Sequence, residues 1–198
     1  MAASKVKNIF LSASVPLPER DLRYIESADI IAIRDSIIAL ATVVLPHHRI
    51  IWGGHPSITP LIYYVMDKFK INIQDHMKLY QSLWFKDVFP EDNNRFENVI
   101  FTEKKSDIAS SIRHMRDRMF TENQFAAAVF IGGMNGVEDE FKMFDEIHPR
   151  ALKIPISSTG AASRCVYDEL LQDEFKDLRL EKDYGYMSLC QDFILRRI

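Results

Sequence analysis

Six of the seven glycines in this chain fall in three short clusters, each placed directly after an apolar run. Gly53-Gly54 follow Arg49–Trp52, Gly132-Gly133 and Gly136 follow Phe125–Ile131, and Gly160 follows Leu152–Ile156. Glycine at the end of a strand and ahead of a helix lets backbone N–H groups face an anion at the helix N-terminus. One further loop offers hydroxyls and amides in the same kind of place, Ser12-Ala13-Ser14 after Val6–Leu11, and Ser157-Ser158-Thr159 adds hydroxyls to the Gly160 cluster. Each loop taken alone reads more readily as a cap or turn. Four of them at one end of one sheet point to a nucleotide-type ligand lying across the carboxyl ends of its strands.

The most informative segment runs from Phe130 to Glu140. A buried strand delivers the chain to Gly132-Gly133, then Met134 and Asn135, and Gly136 starts a helix with Glu140 about one turn in. Amides there can close on a phosphate or ribose, and the carboxylate can accept hydrogen bonds from sugar hydroxyls. The bland alternative is a tight turn with acidic residues that complement the helix dipole. Upstream, Arg113, Arg116 and Arg118 share a helix with His114 and Asp117, a pattern that reads as a solvated face or, through a planar guanidinium fork, as a phosphate grip. His55, directly after Gly53-Gly54, can bond a phosphate or a base. Tyr80, Trp84 and Phe85 at the end of the third strand read as core or as a stacking surface for a base. The six histidines lack carboxylate or cysteine partners at ligand spacing, so no metal and no cofactor are expected.

The elements that must hold these residues alternate. Strands are expected over Val6–Leu11, Arg49–Trp52, Met77–Phe85, Val99–Thr102, Phe125–Ile131 and Leu152–Ile156. Helices are expected over one turn at Asp21–Ile25, over Ala28–Leu45 with Ser27 as cap, from Pro56 or Pro60 to about Phe69, and from Ser106 or Asp107 to about Phe120. Gly136–Ile147, Ala161–Leu171 and Tyr184–Arg197 complete the set, and Lys86–Asn98 reads as a loop. Such alternation predicts an α/β, Rossmann-like parallel sheet with helices on both faces, built as a single domain over residues 1–198. Strand order does not follow from it.

A net charge of −3 without a Lys/Arg run argues against nucleic-acid binding. Asp29, Arg34 and Asp35 inside Ala28–Leu45 argue against a membrane span and for a buried or partner-facing helix. Cys165 and Cys190 have no disulfide-framework spacing, and Met1–Asn8 has no apolar signal core, so a reduced, cytoplasmic setting is expected.

The segment Gly-Gly-x-x-Gly-Val-x-x-Glu over Gly132–Glu140 resembles the Pro-Gly-Gly-x-Gly-Thr-x-x-Glu motif of the LOG (Lonely Guy) phosphoribohydrolases. Met115-Arg116-Asp117-Arg118-Met119 resembles that family's Met-His-x-Arg-Lys segment, and Ser12-Ala13-Ser14 and Gly53-Gly54 stand where its opening loops stand. The chain is similar to the wider SLOG superfamily, which includes the DprA/Smf relatives, and in character to SLOG sensor domains of bacterial anti-phage systems fused to TIR or sirtuin enzymes. The resemblance implies Arg118 and Glu140 as the catalytic pair if the chain is an enzyme. Ile131, Val137 and Met119 replace the motif's proline, threonine and lysine, which puts catalysis in doubt but leaves ligand binding intact.

The resulting expectation is a sensor for an ADP-ribose or cyclic ADP-ribose-type messenger. Its binding residues would be Ser12, Ala13, Ser14, Gly53, Gly54, His55, Arg116, Arg118, Gly132, Gly133, Met134, Asn135, Gly136, Glu140, Ser157, Ser158, Thr159 and Gly160. A homo-oligomer, dimer or tetramer, with a fused or partner TIR-type effector is expected. The alternatives are a nucleotide N-glycosidic hydrolase and an assembly scaffold without ligand.

Overall fold

The computed structural model describes residues 6–69 and 74–198. Met1–Lys5, the start of the segment read above for a signal, lie outside the described residues. Strands β1 (Asn8–Ser14), β2 (Arg49–Trp52), β3 (Met77–Ser82), β4 (Val99–Thr102), β5 (Phe125–Gly132) and β6 (Leu152–Ile156) pair in parallel in the order β4-β3-β2-β1-β5-β6. The chain lays strands outward on one side of β1, then crosses back to place β5 and β6 on the other. The order therefore reverses between β1 and β5, and a ligand crevice is expected outside the carboxyl ends of those strands.

The helices are α1 (Leu22–Ile25), α2 (Ile30–Val44), α3 (Thr59–Lys68), α4 (Ile108–Thr121), α5 (Asn135–Ile147) and α6 (Ala161–Cys165), which runs into a π-helical turn over Val166–Leu170. Then come α7 (Leu178–Lys182) and α8 (Tyr186–Cys190), the latter continuing over Gln191–Leu195. Helices cover both faces. On the α4 and α5 side, Phe10 meets Phe120 edge-on at 4.8 Å and stacks on Phe144 at 5.6 Å. On the side of α2 and α3, the register row Leu11, Trp52 and Leu79 is buried, and Trp52 packs on Phe96 at 5.2 Å. Because β5 is covered on both faces, Ala127–Ile131 is fully buried, which is why the sequence there is continuously apolar.

Several boundaries differ from expectation for local reasons. Ser12-Ala13-Ser14 belong to β1, because they continue its ladder against Phe130–Gly132. Asp29, not Ser27, caps α2 by accepting the Ala32 N–H at 2.9 Å, and the Ser27 hydroxyl instead accepts the Ala161 N–H. The third strand ends at Ser82, whose hydroxyl accepts the Trp84 N–H and starts a 3-10 turn over Leu83–Val88. A second 3-10 turn, Glu91–Arg95, lies inside the segment expected as loop. Among the described residues, no helix is long and apolar enough to cross a membrane.

Candidate functional site

A cleft of about 930 Å³ opens at the carboxyl ends of β1, β2 and β3, within the size range of small-molecule sites. Ala13 and Ser14 of β1, Gly53 and Gly54 after β2, Gln81 of β3, and Met134, Asn135 and Gly136 after β5 line it. An apolar wall comes from Phe85, Val88 and Phe89 of the β3–β4 connection and from Ile108 and Ile112 of α4.

The long helices α2 and α4 begin with an aspartate, Asp29 or Asp107, whose carboxylate accepts a first-turn N–H. Helix α5 begins at Met134 without a side-chain cap and lines the cleft there. The turn into α3 is closed by His55, whose carbonyl accepts the Ile58 and Thr59 N–H groups, and Pro60 has no N–H to offer. The first-turn N–H groups and positive dipole end of α5 therefore suit an anionic ligand group.

The entry to α5 is held by backbone geometry. Gly132 and Gly133 have φ of +55° and +84°, and the Gly133 N–H donates to Ser14 O at 2.8 Å. A Cβ on Gly132 would stand 2.9 Å from that same carbonyl oxygen and 2.4 Å from Ile33 Cδ1. The conformation thus draws the loop onto β1, as only glycine permits at low cost.

One turn into α5, Glu140 accepts from Ser12 Oγ at 2.5 Å and from Arg116 Nε at 2.9 Å. Arg116 also donates through Nη2 to Gly136 O at 3.0 Å. Only 14% of the Arg116 side chain and 15% of that of Glu140 is exposed, so the ion pair is largely desolvated. Ser12 is buried beneath it.

Arg118, the residue matched by the motif, is elsewhere. Its Nε donates to Glu122 at 2.6 Å and its Nη1 bonds Phe101 O, in a cluster with Tyr80, Asn123 and Lys78. It does not line the cleft. The arginine brought to Glu140 is therefore Arg116.

His55 lines the cleft with its ring placed by Ser57. The Ser57 N–H donates to Nδ1 at 3.2 Å, and Ser57 Oγ stands 2.7 Å from the same nitrogen. With Nδ1 accepting, the proton of the neutral ring sits on Nε2 as a donor. Burial pushes the His55 pKa below the usual histidine value, and the Arg20 charge pushes it further. Burial also lowers His48, with the neighbouring His47 adding to the shift. The unfolded chain thus binds protons at these two rings that the folded chain refuses. Stability is expected to be full above about pH 6.5 and to fall as acidification proceeds below it. A thermal melt between pH 7.5 and 5 checks this, and His55→Gln together with His48→Gln should flatten the slope.

The fourth expected loop does not reach the cleft. Ser157, Ser158 and Gly160 line a separate polar cavity of about 160 Å³ with Ser27, Asp29, Arg164, Glu181 and Tyr184. Thr159 is fully buried, accepts the Gly132 N–H at 3.0 Å and, through its carbonyl, accepts the Asp29 N–H. This loop braces the Gly132 turn and the start of α2. Of the aromatic trio, Phe85 lines the cleft, Tyr80 is buried against Glu122, and Trp84 packs under Lys104. Reading the sequence missed Arg20, Gln81, Phe89, Ile108 and Ile112 as cleft residues. Arg20 follows the carboxyl end of β1, and that position was the one signal for it.

A family model described as the SLOG cluster3 family matches residues 23–194, most of the chain. The chain belongs to the SLOG cluster3 family. No curated protein matches it. SLOG membership suggests a nucleotide-related domain. In this SLOG domain the uncapped start of α5 and the Arg116–Glu140 pair meet at one cleft, while the Gly132-Gly133 turn that leads into α5 is buried and does not line it.

Proposed function

We propose that this SLOG domain binds a nucleotide-derived messenger of the ADP-ribose or cyclic ADP-ribose class without consuming it. The observation that carries this reading is the uncapped N-terminus of α5, beside Arg116, opening into a cleft that also has an apolar wall. A phosphate suits the amides at the start of α5, and a base suits Phe85, Phe89 and Ile112. Glu140 is tied to Ser12 and Arg116, which makes it a structural anchor for the α5 entry rather than a free acid or base. The domain would act as a sensor in a bacterial defence system, in a reducing cytoplasm, passing occupancy on through self-assembly and a TIR-type effector.

The second reading is a phosphoribohydrolase, favoured by the carboxylate–arginine pair at the cleft. It requires Arg116 to release Glu140 toward the ribose. Thermal melts with AMP, NAD, ADP-ribose and cyclic ADP-ribose isomers, followed by chromatography of the recovered compounds, separate the two. At a concentration of 100 Kd, a ligand should raise stability by about 2.7 kcal/mol. Recovery of the stabilising compound intact is the expected result. Released base, lost in Glu140→Gln, would make the domain a hydrolase.

A further inference from the structure

Four cationic side chains line the cleft: Arg20, Arg113, Arg116 and Lys142. Arg116 is committed to Glu140, and Arg113 pairs with Asp117 at 3.0 Å on its own helix. Lys142 has Asp139 and Glu146, both cleft residues, one turn away on either side of it in α5. Arg20 has no ion pair among the described residues. It comes from the turn after β1, at the end of the cleft that holds His55, whose ring feels its charge.

That turn is fixed although its arginine is exposed. The Arg20 N–H donates to Leu17 O at 3.1 Å. On one side the Val15 N–H donates to Ser57 Oγ at 3.3 Å. On the other, Asp21 caps α1, and the buried Tyr24 donates its hydroxyl to Glu138 Oε1 at 2.8 Å. The guanidinium is therefore carried by a braced backbone, and little order has to be gained when it meets a ligand.

We propose that Arg20 is a phosphate-binding residue of this cleft and reads the second phosphate of a diphosphate-bridged nucleotide. The inference rests on the nucleotide reading above. A first phosphate is served by the amides at the start of α5, beside Arg116. A second phosphate reaching toward α3 meets Arg20 and the Nε2–H of His55. A guanidinium fork suits that task because it grips two phosphate oxygens at once. A nucleoside monophosphate has no group to place there.

The test is calorimetric titration of the wild type, Arg20→Gln and Arg20→Lys with AMP and with ADP-ribose. The wild type should bind ADP-ribose about tenfold or more tightly than AMP, the usual scale for one charge-assisted contact. Arg20→Gln should lose about that factor for ADP-ribose and leave AMP within roughly twofold, with Arg20→Lys between. An unchanged melting temperature confirms the fold, since the side chain is exposed. Equal losses for both ligands, or no loss, would overturn the role of Arg20 and leave the nucleotide reading standing. Wild-type binding of AMP alone, or of none of AMP, ADP-ribose and the cyclic ADP-ribose isomers, would overturn both.

Discussion

Arg116→Ala is expected to abolish nucleotide binding and to lower the unfolding free energy by about 3 kcal/mol, whereas Arg118→Ala should change neither by a measurable amount. Removing Arg116 leaves the Glu140 carboxylate largely desolvated with only Ser12 as partner, and removing one member of a buried pair costs about 3–5 kcal/mol. The residual exposure of the pair places the value at the low end. The Gly136 carbonyl also loses its donor, and with it the α5 entry loses a tether at the cleft. Arg118 sits in a surface i,i+4 pair with Glu122, both side chains more than a third exposed, and such pairs contribute about 0.5 kcal/mol or less. Urea denaturation with ADP-ribose calorimetry on both variants checks this. A binding loss in Arg118→Ala with Arg116→Ala intact would restore the motif's own register and sink the assignment made from the geometry.

Gly160→Ala is expected to cost about 4 kcal/mol and to lower the melting temperature by roughly 10 °C, although Gly160 lies outside the cleft. Its φ of +70° and ψ of −158° lie in a region used almost only by glycine. A Cβ there would stand 1.7 Å from Ser27 O and 2.5 Å from the Ser27 carbonyl carbon. Those are backbone atoms at the entry to α2, so no rotamer change relieves the clash. The neighbouring Thr159 holds both Asp29 N–H and Gly132 N–H, so displacement of this turn also loosens the glycine turn ahead of α5. Gly53→Ala is the contrast. That residue lines the cleft, has no positive φ, and its Cβ would meet only the mobile end of Met115 at 3.1 Å. Its stability should change by less than about 1 kcal/mol. Differential scanning calorimetry of the two variants tests the pair, and similar melting temperatures would show that the contact at Ser27 is easily relieved.

Both cases turn on a difference between spacing and placement. The motif resemblance assigns Arg118 because it counts residues along α4. Arg116 and Arg118 are two positions apart, about 200° around the helix axis, so only one of them can face α5. Which one does so is set by Met115, Met119 and Phe120, which turn their side of α4 onto the sheet. Reading that rotation needs the packed partner. Likewise the serines and glycine after β6 have the composition of a ligand loop, yet β6 is the edge strand beyond β5. Its loop therefore meets the entry to α2 rather than the cleft.

The alternation of apolar runs and helical segments, with glycine at strand ends, determined by itself that this chain is a parallel α/β protein with its glycine-bearing loops at the carboxyl ends of the strands. Hydrophobic periodicity and the conformational demands of turns are local properties, so they are written in neighbouring residues. Strand order, the crossing back between β1 and β5, the choice of Arg116 over Arg118, the bracing role of Ser157–Gly160 and the arrival of Arg20 beside His55 were decided only by the tertiary structure. Each depends on which faces of distant segments are buried together, and that is a property of the packed core rather than of any stretch of chain.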